Sequence, residues 1–183
     1  GEIQQAIETV ARYANVQLID FHEPLYRYPF MLPDAVHPTV EGAGILAGVV
    51  YSAITGDYGG LRLSEIYSDN MVLQCGCPLD IHGVADAGEK VTVSIAGQTE
   101  SAKAGANGKW AVCLKPLQPG GPHTLTVSTG KRRLHFENVL VGEVWLCSGQ
   151  SNMEFMMKEG VDGKVDIPQS GNAGIRLFDM KAV

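Results

Sequence analysis

The hydrophobic period of this chain changes once, at Asp57-Tyr58-Gly59-Gly60, and that change limits what the chain can fold into. Before it, Ile3, Ala6, Ile7, Val10 and Ala11 recur at three- and four-residue spacing, which predicts an amphipathic helix over residues 3–14. After it, residues 61–141 read as all β. Residues 91–95 and 124–127 alternate apolar with polar, the pattern of strands with one buried face. A helical stretch followed by a strand-rich one predicts a mixed α and β chain.

Residues 16–21 form a short run rich in β-formers, so helix, tight turn and strand are expected in succession. An irregular stretch with Pro24, Pro29, Pro33 and Pro38 follows. The next helix should start near Pro38, which suits a first helical position, and stop at Gly56, which suits the residue past a C-terminus. Its many small residues predict close packing against a sheet. Within the β region, turn signals stand at Asp86-Ala87-Gly88, Ala96-Gly97, Asn107-Gly108, residues 119–122 and Thr129-Gly130. Asn107-Gly108 is the strongest hairpin signal, because a type I′ turn needs two residues that tolerate positive φ. Short strands at intervals of about ten residues suggest a central immunoglobulin-like β-sandwich, with Trp110 as a core anchor. Residues 143–147 then read as an apolar strand, residues 148–153 as a turn into a helix, and residues 175–178 as another strand.

A net charge of −6 argues against nucleic acid as a partner, since phosphate binding rests on clustered Lys and Arg. The tight cluster Lys131-Arg132-Arg133 suits a turn or strand edge. The longest apolar run, residues 42–54, falls short of the roughly 20 residues that span a bilayer, so no membrane partner is expected. No basic segment followed by an apolar one marks the start as an export signal. Cys75-Gly76-Cys77 lacks the two-residue spacer usual for zinc, and the four cysteines are read as buried apolar thiols. No metal or organic cofactor is expected.

Three residues carry chemistry. A serine hydroxyl needs a neighbouring base, and that base is best oriented by a carboxylate. Asp34 and His37, three apart on a loop leading into a helix, can supply carboxylate and imidazole; Ser151 can supply the hydroxyl. Plainer roles are open to all three: a helix-capping Asp, a surface His and a turn-bonding Ser. Two near misses fall away. Residues 83–90 lack the Ser or Thr a phosphate loop requires after its Lys, and Met153 stands where a G-x-S-x-G elbow needs Gly.

"VLVGEVWLCSGQSNMEF", residues 139–155, resembles the start of the catalytic domain of sialate O-acetylesterases, in which G-Q-S-N-M replaces the G-D-S block of SGNH hydrolases. Residues 63–117 are similar to the β-sandwich preceding that domain. The first 56 residues resemble the closing βα portion of an SGNH hydrolase, whose D-x-x-H-P motif Asp34 and His37 match. The resemblance implies Ser151 as nucleophile, with its backbone amide in the oxyanion hole. It implies three parts: residues 1–58 as the C-terminal piece of one SGNH domain, 61–141 as the sandwich, and 142–183 as the N-terminal piece of the next. The flanks would be partial α/β, flavodoxin-like hydrolase segments.

SGNH enzymes run Ser first and Asp-x-x-His last, whereas this chain runs the other way. A fragment cut across a two-esterase protein explains that order; a folded-back site joining Asp34 and His37 to Ser151 is the alternative. The implied activity is removal of O-acetyl groups from sialic acid or a related glycan, in a periplasmic or secreted protein. A non-catalytic sandwich acting as a spacer or carbohydrate-binding module between esterase domains is the rival. Tyr67, Trp110 and Phe136 are its few aromatics for stacking on sugar.

Overall fold

The computed structural model of the chain describes residues 2–26 and 28–179. It divides into two compact units. Of the described residues, one comprises those up to 60 with 84–89 and 103–110; the other comprises 61–83, 90–102 and those from 111 on.

The first unit is helical. Helix α1 spans Glu2–Ala14 and stops because Asn15 takes a left-handed conformation (φ 52°), after which the Val16 amide donates to the Ala11 carbonyl at 3.0 Å. Helix α2, His22–Tyr26, forms inside the Pro-rich stretch. It is started by Asp20, whose Oδ1 accepts from the amides of His22 and Glu23. Helix α3 spans Val40–Thr55. Thr39 caps it, its hydroxyl accepting from the Gly42 amide at 3.1 Å, and Gly56 at φ 74° ends it. Pro38 therefore lies one residue before the cap and not at the first helical position, because a Thr side chain can take an orphan amide and Pro cannot.

The small residues of α3 do not all serve packing among the described residues. Gly44 and Gly48 have no atom within 4 Å of where a Cβ would sit, while a Cβ on buried Gly42 would lie 3.2 Å from Met31 O and Pro38 Cβ. Of the α3 glycines, Gly42 is the one that is small for a packing reason, and what it admits is the loop before the helix.

The turns that belong to this unit are tied to residues 56–60. The amides of Tyr58 and Gly60 donate to Asp86 Oδ1, Gly56 O accepts from Ala87 N, and the Tyr58 hydroxyl donates to Ala106 O at 2.7 Å. The Tyr58 ring lies over Gly108, where a Cβ would fall 2.4 Å from Cγ. Gly108 also has φ 72°. Gly108→Ala is thus expected to destabilise the chain by more than about 1 kcal/mol, through positive φ and a clash together, read as a lowered thermal midpoint. An unchanged midpoint would refute this packing.

Eight strands follow: β1 (Arg62–Leu63), β2 (Val72–Gln74), β3 (Leu79–Val84), β4 (Lys90–Ile95), β5 (Gln98–Lys103), β6 (Lys109–Leu114), β7 (Gly120–Ser128) and β8 (Arg133–Gly142). They form a three-stranded sheet ordered β1-β3-β6 and a five-stranded one ordered β2-β8-β7-β4-β5. Strand β2 runs parallel to β8, with Val72 opposite Leu140; β7 is antiparallel to both β4 and β8, with Val127 opposite Val93 on one side and Leu134 on the other. Alternate residues are buried, as the period-two pattern predicted: Ile81 on β3, Val91 and Val93 on β4, Leu125 and Val127 on β7, and Val139 on β8 are all fully enclosed. Each such side chain contributes about 1.5–3 kcal/mol on burial. The core lies here, in the strands.

The tight hairpin is at Ala96-Gly97, where both residues have positive φ (50° and 78°) between β4 and β5. At Asn107-Gly108 only Gly108 does. That turn joins strands of different sheets, so it forms a corner and not a hairpin. The basic trio fits its expectation: Lys131 and Arg132 lie in the turn capped by the Thr129 hydroxyl, and Arg133 opens β8.

Three expected strands are absent. Residues 16–21, 143–147 and 175–178 have no strand pairing among the described residues. Local β-propensity does not suffice, because an extended segment needs a neighbour to take its amides and carbonyls. Side chains hold two of these segments in place. Arg176 donates from both terminal nitrogens to Asn138, to O and to Oδ1, and the Val144 amide donates to Gln74 Oε1 at 2.9 Å. The cysteines are not buried either: Cys77, Cys113 and Cys147 are exposed and Cys75 is half-buried, each a free thiol. Among the described residues no helix is long and apolar enough to cross a membrane.

Candidate active site

Asp34 and His37 meet. In the first unit, Asp34 Oδ2 lies 2.6 Å from His37 Nδ1, while Oδ1 accepts from the amides of His37 (2.7 Å) and Val36 (3.0 Å). One carboxylate therefore does two things: one oxygen closes an Asx turn and the other fixes the imidazole. Ala35, between them, is held at φ 63°, a conformation a non-glycine residue adopts at a cost. The loop is anchored by Thr39 N donating to Met31 O at 2.8 Å and by the absent side chain of Gly42. Asp34 is not a helix cap; Thr39 fills that role. His37 keeps Nε2 without a hydrogen-bond partner among the described residues, so the ring is oriented at one nitrogen and open at the other. That is the geometry of an oriented general base.

The backbone amide of His37, then its ring, then the amide of Val36 hold the Asp34 carboxyl down at about 2, from 3.8. A carboxylate lowered in the folded state stabilises above its unfolded value and loses that contribution as the pH falls through the folded one. We expect the Asp34 carboxyl carbon, followed by NMR, to titrate near 2, with the turn at 34–37 opening between about pH 4 and pH 2. Titration near 3.8 would mean these bonds do not hold in solution.

Ser151 lies in the second unit. It opens helix α4, Ser151–Glu154, and is exposed. The carbonyl of Gln150, before it, accepts from Met153 N at 2.8 Å, and no side chain caps the helix. The first amides of a helix have no partner within it. The approach to Ser151 runs through residues 143–150, which are irregular and carry exposed Trp145 and Leu146. Their first residue is fastened: Glu143 accepts from Cys75 Sγ at 3.4 Å and from Gln74 Nε2 at 3.3 Å.

Gly42 was expected only as one of the small residues of α3 and Glu143 only as the start of a strand, while Thr39 and Gln74 carried no expected role. Thr39 had a signal, since Thr directly before an apolar run is an N-cap pattern. The Gln74–Glu143 tie joins residues 69 apart and has no local signature.

The chain is 35% identical over 135 residues to a sialate O-acetylesterase of Rattus norvegicus, an alignment covering 66% of this chain. It is 36% identical over 109 residues to a sialate O-acetylesterase of Homo sapiens. A crystal structure of a carbohydrate acetylesterase from Xanthomonas citri superposes with a TM-score of 0.59 at 34% identity, over 61% of this chain and 26% of that one. Over its matched stretch the chain is similar to sialate O-acetylesterases. It spans 24% of the length of the rat relative and 20% of the human one. No family model matches it.

Proposed function

We propose that this chain is part of a carbohydrate O-acetylesterase, in which Ser151 attacks the acetyl carbon of an O-acetylated sugar to form an acetyl-serine intermediate that water then resolves. The observation that carries the reading is the G-Q-S-N-M block, with its serine exposed at the first turn of α4, in a chain 35% identical to a sialate O-acetylesterase. In the reaction the Ser151 proton passes to a base, and the tetrahedral oxyanion is met by backbone amides, that of Ser151 among them. The substrate class is an acetylated glycan, sialic acid or a relative. The implied compartment is periplasmic or extracellular, and the chemistry as written uses side chains, backbone amides and water.

The domain reading accompanies it. Residues 61–141, with their two sheets and shared alternation, are proposed to be an immunoglobulin-like sandwich. Residues 1–58 and 142–183 are proposed to be partial SGNH segments of a longer protein. Their exposed apolar side chains support this: Ile3, Val10 and Tyr13 on α1, and Trp145, Leu146, Phe155 and Leu177 in the last segment, are surfaces that a larger sheet would cover. Asp34 and His37 are proposed as acid and base of the site to which residues 1–58 belong, since the carboxylate already orients the ring.

The rival reading makes the sandwich a spacer or a sugar-binding module. Trp110 and Tyr67 are buried and Phe136 is half-buried, so its faces offer little aromatic surface for a sugar to stack on. The deciding experiment measures acetate released from O-acetylated sialic acids and other O-acetylated sugars by the full-length protein. Release supports the esterase; none from any of these substrates overturns it.

A further inference from the structure

We propose that Cys75 and Cys77 form a reversible thiol–disulfide pair on the turn that leaves β2. The pair rests on placement, independently of any esterase activity. Residues two apart lie on the same face of an extended strand, and Gly76 between them adopts φ 72°, a left-handed conformation that bends the chain and draws positions 75 and 77 closer than full extension would. Backbone bonds fix the bend: Cys75 N donates to Gly142 O at 2.9 Å and Gly76 N to Leu117 O at 3.1 Å. The thiols differ in setting. Cys77 is exposed, whereas Cys75 is half-buried and donates to Glu143 Oε1 at 3.4 Å. Desolvation first, and the neighbouring Glu143 carboxylate second, push the Cys75 thiol up from its usual range.

That difference orders the steps. The Cys77 thiolate attacks one sulfur of a small-molecule disulfide such as oxidised glutathione, forming a mixed disulfide and releasing one glutathione thiolate. Cys75 then attacks Cys77 Sγ, its proton passing to the Glu143 carboxylate and on to water, and the second glutathione leaves. Two protein thiols are oxidised and one glutathione disulfide is reduced to two thiols. A ring closed over a single intervening residue is strained, and strained, exposed disulfides are the readily reducible ones. Oxidation also removes the Cys75–Glu143 hydrogen bond, leaving Gln74 as the holder of that carboxylate.

The test uses the full-length protein in glutathione buffers of graded ratio, quenched with an alkylating reagent and digested with trypsin. Cys75 and Cys77 fall together in the peptide of residues 63–90, and Cys113 and Cys147 fall in others. In oxidising buffer the 63–90 peptide should lose two hydrogens and take no alkyl group, and dithiothreitol should return it to the doubly alkylated form. Cys75→Ser should stop at the Cys77–glutathione adduct. Double alkylation of the wild-type peptide in oxidising buffer, glutathione on both thiols, or a cross-link from either one to Cys113 or Cys147 would each overturn the proposal.

Discussion

Ser151→Ala in the full-length protein is expected to lower the acetate release of the esterase domain that contains it by roughly 10⁴-fold or more in kcat, with KM little changed, because it removes the atom that forms the bond and leaves binding groups in place. The side chain is exposed, so the unfolding free energy should stay within the ±0.5 kcal/mol or so typical of surface substitutions. Lost activity with kept stability is the signature of a nucleophile. Full deacetylation by the variant would leave the spacer reading as the better one. A second measurement separates the two arrangements of the motifs. If residues 1–58 and 142–183 belong to different esterase domains, His37→Ala and Ser151→Ala act on separate activities and their effects are independent. If they form one folded-back site, either variant alone removes nearly the whole rate and the double variant adds little, as in triads that act as a unit.

What the sequence made legible is what neighbours in the chain decide. Helix α1 was visible in its periodicity, and the end of α3 in Gly56, because only a few consecutive residues set a helical face or a left-handed cap. The buried alternation of β4 and β7 could be read the same way. The Asp34–His37 bond spans three residues, so spacing was a fair guide to it. The failures are non-local. Residues 16–21, 143–147 and 175–178 have strand-like composition, but a strand exists through its partners, and composition does not name them. Asn107-Gly108 has better turn chemistry than Ala96-Gly97, yet the hairpin sits at the latter, because which strands share a sheet decides where a two-residue loop is needed. Glu143 looked like the start of a strand; what it does is accept from Gln74 and Cys75, almost seventy residues earlier in the chain.

The largest stability effect is expected at Trp110. It stands on β6 at 4% exposure, and its indole Nε1 is buried with no hydrogen-bond partner among the described residues. Two opposing terms can therefore be told apart by two substitutions. Trp110→Ala removes the whole ring and leaves a cavity, at a cost of about 3–5 kcal/mol, a large part of the roughly 5–15 kcal/mol that holds a domain folded. At roughly 2–8 °C per kcal/mol for domains of this size range, the thermal midpoint should drop by about 10 °C or more. Trp110→Phe also loses apolar area, but it removes an unpaired donor whose burial costs about 1–3 kcal/mol, so the two changes largely offset and the midpoint should move little. Alanine and phenylalanine variants that fall equally far would mean the indole N–H is bonded in solution. An alanine variant that melts with the wild type would mean that Trp110 does not anchor this core.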